Sequence, residues 1–443
     1  MKRSISRSLR QEVLSLIWPA IMQGLLSTMI LFTDRLILGQ FHDAALASMQ
    51  VSGPVLWSIF SLFGAYGVGV LAVIGRATGE KNVERVQTTM GTALCIALAL
   101  GTFVGLIGHI ATPQITESII GDTSILDAKD MAHVYLGAVF LSGPAMMLTA
   151  VNFTAFQASG DTRTPMWLTG IGGGVNLIVS WVLVFGSFGA PQLGILGAAV
   201  GTISSSILSA LLGLYMLSKS PIRPRLPRWS ALRSIMRVAW PALGEKILFH
   251  TGFLIFTAYV GRLGETAMTA HQGLMAIESL GFIAASGFGI AAAAIVAQKL
   301  GARDPQAAEI GVQIAIKLGL ITLCTIGLFF LSSAEWLMGL FTRSHDIINL
   351  GAQCMIIAAI SQPLMVISDV YAGALRGAGD TQTPMKVALV GPLAIRLGAC
   401  WLFAYWLDMG LLGIWIGSTF DWLVRAIWLW LVFRRGHWKT IEV

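Results

Sequence analysis

Stretches of about 20 mainly apolar residues recur along this chain, divided by short polar turns, and each is long enough to cross the hydrocarbon of a bilayer as a helix. Hydrocarbon offers no partner to a backbone N–H or C=O, so a spanning segment must satisfy its own backbone, which a helix does. Twelve stretches qualify, with cores at 13–38, 44–73, 87–111, 131–155, 165–187, 194–217, 235–260, 266–297, 310–332, 350–374, 385–407 and 410–433. Composition agrees: 55% of the 443 residues are apolar and 12% are charged, about half the charged share of a soluble domain. A water-facing globule and a disordered chain are both excluded. The first stretch follows Lys2, Arg3, Arg7 and Arg10 but is too long for a signal h-region and lacks a small-residue cleavage site, so it reads as a retained span. Cys95, Cys324, Cys354 and Cys400 sit in apolar runs without CxxC spacing or His partners. They read as packing residues, and no metal, disulfide framework or cofactor is expected.

Basic residues settle the orientation, because cytoplasmic loops carry the Lys and Arg excess. One side gathers the N-terminal group, Arg76, Lys81, Arg85, Arg163, Lys219, Arg223, Arg225, Arg228, Arg233, Arg237, Lys299, Arg303, Arg376, Lys386, Arg434, Arg435 and Lys439, most of the 29. The other side holds Arg35, Lys129, Arg262 and Arg343. Both termini are therefore expected in the cytoplasm, and the net charge of +7 reflects topology rather than nucleic-acid binding.

The chain also repeats itself. A shift of 222 residues lays Trp18-Pro19 on Trp240-Pro241, Gly39 on Gly261, Asp43 on Glu265, Ala45 on Ala267, Gln50 on Gln272 and Gly79 on Gly301. After a small change of offset, GDTRTPM at 160–166 meets GDTQTPM at 379–385, and GAAVGT at 197–202 meets GIWIGS at 413–418. The expected architecture is all-α and integral to the membrane: twelve helices in two homologous six-helix lobes, 1–217 and 234–443, related by a pseudo-two-fold along the membrane normal and joined by a basic linker, 218–233. Two lobes around a cleft suit alternating access. The chain has no GxxxxGK[ST] and no segment long enough for a catalytic domain, so an ion gradient is the expected energy source and no enzyme is read.

Pro19 with FTDRLILGQFHDAALA at 32–47, RATGEKN at 76–82, AHQ at 270–272, LRGAGDT at 375–381 and the two GDTxTPM loops together resemble the multidrug and toxic compound extrusion (MATE) family, almost end to end. Among prokaryotic members the chain looks closer to the branch of the DNA-damage-inducible protein. The resemblance implies a gradient-driven antiporter of the cell (plasma or inner) membrane that expels cationic, amphipathic drugs or toxic compounds in exchange for protons. A sodium-coupled antiporter or a lipid-linked saccharide flippase of the same superfamily is the alternative. The family's first-span carboxylate falls on Asp34 and its fifth-span Asn on Asn176. Where one branch has a fifth-span Asp four residues on, this chain has Ser180. The acidic residues of a sodium-linked branch find Glu245 about a turn early and Asp369 about a turn late.

A charge at the centre of a span costs roughly 2.5–3.5 kcal/mol on insertion scales, so each retained one needs a partner, water or a function. Asp34 reads as the proton or cation site; the structural alternative is an interfacial pair with Arg35, weakened because adjacent helix residues point apart. Pro19 supplies a kink, either a conformational element or static architecture shared with Pro241. Glu245 is followed by Lys246 and, one turn on, by His250, a group that is either a second ion site or charge compensation near the interface. Glu278 and Asp369 sit deeper and could line a cavity, bind a cation or find Arg396 as partner. Asp421 and Arg425, four apart, read as a structural ion pair. Gln50, Asn176, Ser180 and Gln272 offer neutral hydrogen bonds, either to ligands or between helices. Nothing in the sequence calls for an oligomer, and the expected partners are small drugs and the bilayer.

Overall fold

In a computed structural model the described residues, 2–120 and 126–442, form helices and short connections. Of the basic residues used for orientation, the side chains of Lys2, Arg3 and Arg7 lie outside the described ones. The helices are α1 (Lys2–Phe41), α2 (Asp43–Gly79), α3 (Val83–Ile120), α4 (Leu126–Phe140), α5 (Gly143–Ala158), α6 (Arg163–Phe185), α7 (Ile195–Lys219), α8 (Trp229–Gly261), α9 (Glu265–Gly301), α10 (Pro305–Ser332), α11 (Ala334–Gly339), α12 (His345–Ala378), α13 (Gln382–Ala388), α14 (Leu397–Trp401) and α15 (Gly410–Arg435). Two π-helical turns, Leu389–Arg396 and Leu402–Trp406, join α13 and α14 into one span, 382–406.

Ten of these stretches are long and apolar enough to cross a bilayer, and α4 with α5 make an eleventh, bent by 57°. The bend lies where Pro144 lacks an N–H and its ring excludes the carbonyl of Phe140, four residues back. The twelfth is α8, whose 33 residues are ample but whose apolarity Glu245, Lys246 and His250 reduce. The chain is thus a multi-pass, all-α membrane protein with two homologous six-helix halves. Between α7 and α8 the non-helical linker is residues 220–228, shorter than the basic segment 218–233 because both helices run into it.

The repeat reappears as conformation. α2 and α9 are each 37 residues long and start at the 222-residue offset. Lys81 and Arg303, also 222 apart, both take a left-handed φ, +57° and +59°. In the GDT loops, Asp161 Oδ1 accepts the Thr164 N–H and Asp380 Oδ1 accepts the Thr383 N–H, each at 3.0 Å. In both loops the same threonine's hydroxyl donates to the other carboxylate oxygen. The preceding Gly160 and Gly379 sit at φ +90° and +95°, where a side chain would be strained.

Packing groups the residues into two compact units. Unit 1 is Met1–Ile21, Leu71–Lys81 and Met236–Val443, and unit 2 is Met22–Val70 and Asn82–Ile235. The boundary therefore runs inside α1, α2 and α8 as well as through the α2–α3 loop at 81–82, and in α1 it falls two residues after the buried Pro19. Repeat and packing divide the chain differently.

Unit 1 brings helices close at glycines. A Cβ on Gly373 of α12 would strike the backbone of Gly289 on α9, and one on Gly377 would strike that of Ala293. Small residues permit such approach where no hydrophobic force drives helices together. Gly373→Val is expected to lower stability by about 1–3 kcal/mol through overpacking, read as a lower thermal midpoint in detergent. Gly261→Ala, with open space around the new methyl, leaves the midpoint in place; equal effects of the two would refute the account.

Candidate functional site

The first span delivers Asp34 to the interior of unit 2. It is 6% exposed, while its neighbour Arg35 is exposed and extends to Gly53 of α2. The two point apart, as adjacent helical residues must, and the interfacial pair with Arg35 is not formed.

Opposite Asp34 stands α6. Asn176 is the polar side chain of α6 that stands beside the carboxyl group, and Ser180, one turn further along, is fully buried on the same face. The Asn176 Nδ2 reaches Thr202 Oγ1 of α7 at 3.4 Å, and the Tyr135 hydroxyl of α4 lies at 3.4 Å from the same oxygen. Tyr135 in turn feels the charge of Asp34. Gly201, the neighbour of Thr202, makes the closeness possible: a Cβ there would strike Ser180 Oγ and come within 3.0 Å of the Asn176 carbonyl.

The polar atoms of this cluster are incompletely used. Asp34 Oδ1, Asn176 Oδ1 and Ser180 Oγ are buried without hydrogen-bond partners. A buried polar atom left unpaired costs about 1–3 kcal/mol, and three oxygens idle in one apolar bundle have unused capacity for a proton or a small cation. A proton on Asp34 turns one acceptor into a donor. A monovalent cation would instead collect carboxylate, amide and hydroxyl oxygens, the ligands that hard cations take. Thr202 and Tyr135 escape notice in the sequence, although the repeated GAAVGT motif at 197–202 ends on Thr202.

Unit 1 places the remaining sequence candidates in two groups. Glu245 accepts from Arg376 Nε at 3.2 Å and from Arg376 Nη2 through its other oxygen. Lys246 and Asp369 lie in the field of the same pair. Two acids and two bases thus balance, and Glu245 is engaged by Arg376 rather than by His250. His250 packs edge-on to Phe249. In the second group, Arg396 pairs with Asp421 at 2.9 Å, not with Glu278 or Asp369, and joins Arg425, which reaches the same oxygen at 2.6 Å. Glu278 accepts from Ser361 at 3.3 Å. Gln50 and Gln272 are exposed. Among the described residues no group of three or more His, Cys, Asp or Glu could hold a metal ion.

The MatE family model matches residues 19–182 and 241–402, one match in each half. The chain belongs to the MATE family. It is therefore a transporter, not an enzyme. A probable multidrug resistance protein NorM of Thermotoga maritima is 28% identical over 442 residues, covering 98% of this chain and 94% of the relative. Its counterpart in Burkholderia pseudomallei is 27% identical over 399 residues, 87% of this chain and 84% of the relative. Among solved structures, an outward-facing multidrug resistance MATE transporter of the MOP superfamily superposes with a TM-score of 0.90 at 20% identity, covering 98% of this chain and 97% of that one. That likeness speaks for the fold.

Proposed function

We propose that this MATE protein is a multidrug efflux antiporter of the cell inner membrane, with both termini cytoplasmic. It works as a monomer and exchanges organic, cationic and amphipathic compounds for protons. The observation that carries the reading is the buried Asp34 among unpartnered oxygens of Asn176 and Ser180. The relatives named multidrug resistance proteins support the drug substrate, and the apolar, Met- and aromatic-rich composition supports flat cationic ligands.

Coupling requires that proton and drug favour different states or compete for one site. Asp34 meets that need when its proton and the drug cannot be held together: the charged carboxylate draws the cation, and protonation removes the attraction and gives Asn176 Oδ1 a donor. Pro19, close to the unit boundary inside α1, is the conformational element of this cycle.

Sodium is the second reading, favoured by the same three oxygens. A saccharide flippase would need free basic residues for a diphosphate, whereas Arg376, Arg396 and Arg425 are each opposed by a carboxylate. Efflux of ethidium from proteoliposomes separates the ions. A pH gradient alone is expected to drive it and a sodium gradient alone is not; the reverse result overturns proton coupling in favour of sodium.

A further inference from the structure

Two guanidinium groups share one carboxylate oxygen inside unit 1. Arg396 Nε and Arg425 Nη2 both donate to Asp421 Oδ2, and Asp421 is fully buried while the arginines are about nine-tenths so. One negative charge thus directly opposes two positive ones. Arg425 also lies in the field of Asp369, but Asp369 and Glu245 are already matched by Lys246 and Arg376. Three acids therefore face four bases, an imbalance that a protein interior does not hold without a partner. Hydrogen bonding is also incomplete: Arg396 Nη2, Arg425 Nε and Asp421 Oδ1 have no partner.

The carboxyl group that can restore the balance is Glu278 on α9. Arg396 is the charged group that acts on it, yet its observed partner is the Ser361 hydroxyl of α12. From α12 the fully buried Gln362 also packs here, against Gly281, one turn beyond Glu278. On α9 itself, His271 lies two turns back, its ring against Phe256 of α8 and Trp415 of α15. Asp421 and Arg425 of α15 stand behind Arg396. A single hydroxyl contact suits a neutral carboxyl, and the idle N–H of Arg396 is what the ionised form would take.

The two arginines are not held alike. Arg425 lies on the Trp422 ring at 3.8 Å, whereas Arg396 is 5.7 Å from that ring and 5.6 Å from Phe256. Arg396 also closes the π-helical turn Leu389–Arg396, which contains Pro392. Such turns concentrate at functional sites because their backbone ladder is already interrupted.

We propose that Glu278 and Arg396 form a second proton-linked site, in which a proton on Glu278 and the Nη2–H of Arg396 replace one another. When the proton leaves for water, the Glu278 carboxylate accepts from Arg396, and Asp421 keeps Arg425. When it returns, Glu278 falls back on Ser361 and Arg396 rests on Asp421. The site shares no residue with the Asp34 cluster, so either can fail alone.

The test needs no substrate: an infrared titration of the protonated-carboxyl band of the purified full-length chain in lipid. Wild type is expected to lose two components as pH rises, one absent in Asp34→Asn and a different one absent in Glu278→Gln. Removing the guanidinium with Arg396→Gln delays loss of the Glu278 component by about one pH unit, the effect of deleting one nearby opposite charge. Should that variant fail to fold, Arg396→Lys, which keeps the charge but not the fork, is expected to leave the component in place with an altered frequency. A band that Glu278→Gln leaves unchanged overturns the proposal, as does a Glu278 component indifferent to both Arg396 variants. A band that only Asp34→Asn leaves unchanged overturns the Asp34 reading instead.

Discussion

Asp34→Asn is expected to reduce efflux driven by a pH gradient by roughly 5- to 150-fold, the span of a coupling free energy of about 1–3 kcal/mol. The amide has the shape of the carboxyl and can still hydrogen-bond Asn176, so the helices α1, α6 and α7 keep their packing and the thermal midpoint stays put. What is lost is the ability to change charge. The variant should bind a cationic dye with the weaker affinity of protonated wild type, no longer dependent on pH, measured by fluorescence polarisation at several pH values. Arg35→Gln is the control: its side chain is exposed and apart from Asp34, and coupling should survive. Normal gradient-driven transport by Asp34→Asn would sink the assignment outright.

The largest expected loss of stability lies elsewhere, at Asp421→Ala. That change strands two buried guanidiniums, and removing one partner of a buried ion pair costs about 3–5 kcal/mol. Glu245→Ala should cost less, because Arg376 keeps more access to solvent, with its side chain 23% exposed against 9% for Arg396. Both are read as thermal midpoints in detergent. Replacing Asp421, Arg396 and Arg425 together by Leu, Met and Met should recover most of the loss, since a buried ionic trio can be exchanged for apolar residues without penalty. That triple variant would be folded and yet lose its Glu278 component only at higher pH, as Arg396→Gln does. If Asp421→Ala melts with wild type, the trio does not hold α13–α15 together.

Much of this arrangement is legible in the sequence because the bilayer imposes a coarse rule. Span length, the repeat at 222 residues and the Asp421–Arg425 spacing each follow from helix geometry alone. The capping carboxylates of the GDT loops are likewise local. Partners that come from different helices are another matter. Asp34 is visible as an acid in an apolar run, and Asn176 and Ser180 as polar residues in another, but Thr202 and Tyr135 enter through the register of α4 and α7 against α6. Arg396 shows the limit well: sequence offers Glu278 and Asp369 as its partners, and a π-helical turn rotates it onto Asp421. The bend between α4 and α5 is also invisible to hydropathy, which reads 131–155 as one straight span.

The grouping of the first residues with the last has a consequence for biogenesis. Leu9, Val13, Leu16 and Ile17 belong to the same core as Trp422, Leu429, Phe433 and Trp438. More than four hundred residues separate them, which at about 5–20 residues per second is roughly 20 s to a minute and a half of synthesis. Unit 2 can close as soon as residue 235 has emerged, whereas the first turns of α1 find a partner on α9, where Lys299 pairs with Glu12, and their core is complete only when α15 arrives. The opening segment of the chain is thus made first and finished last, and a ribosome halted before α15 would leave it as the segment most in need of a membrane chaperone.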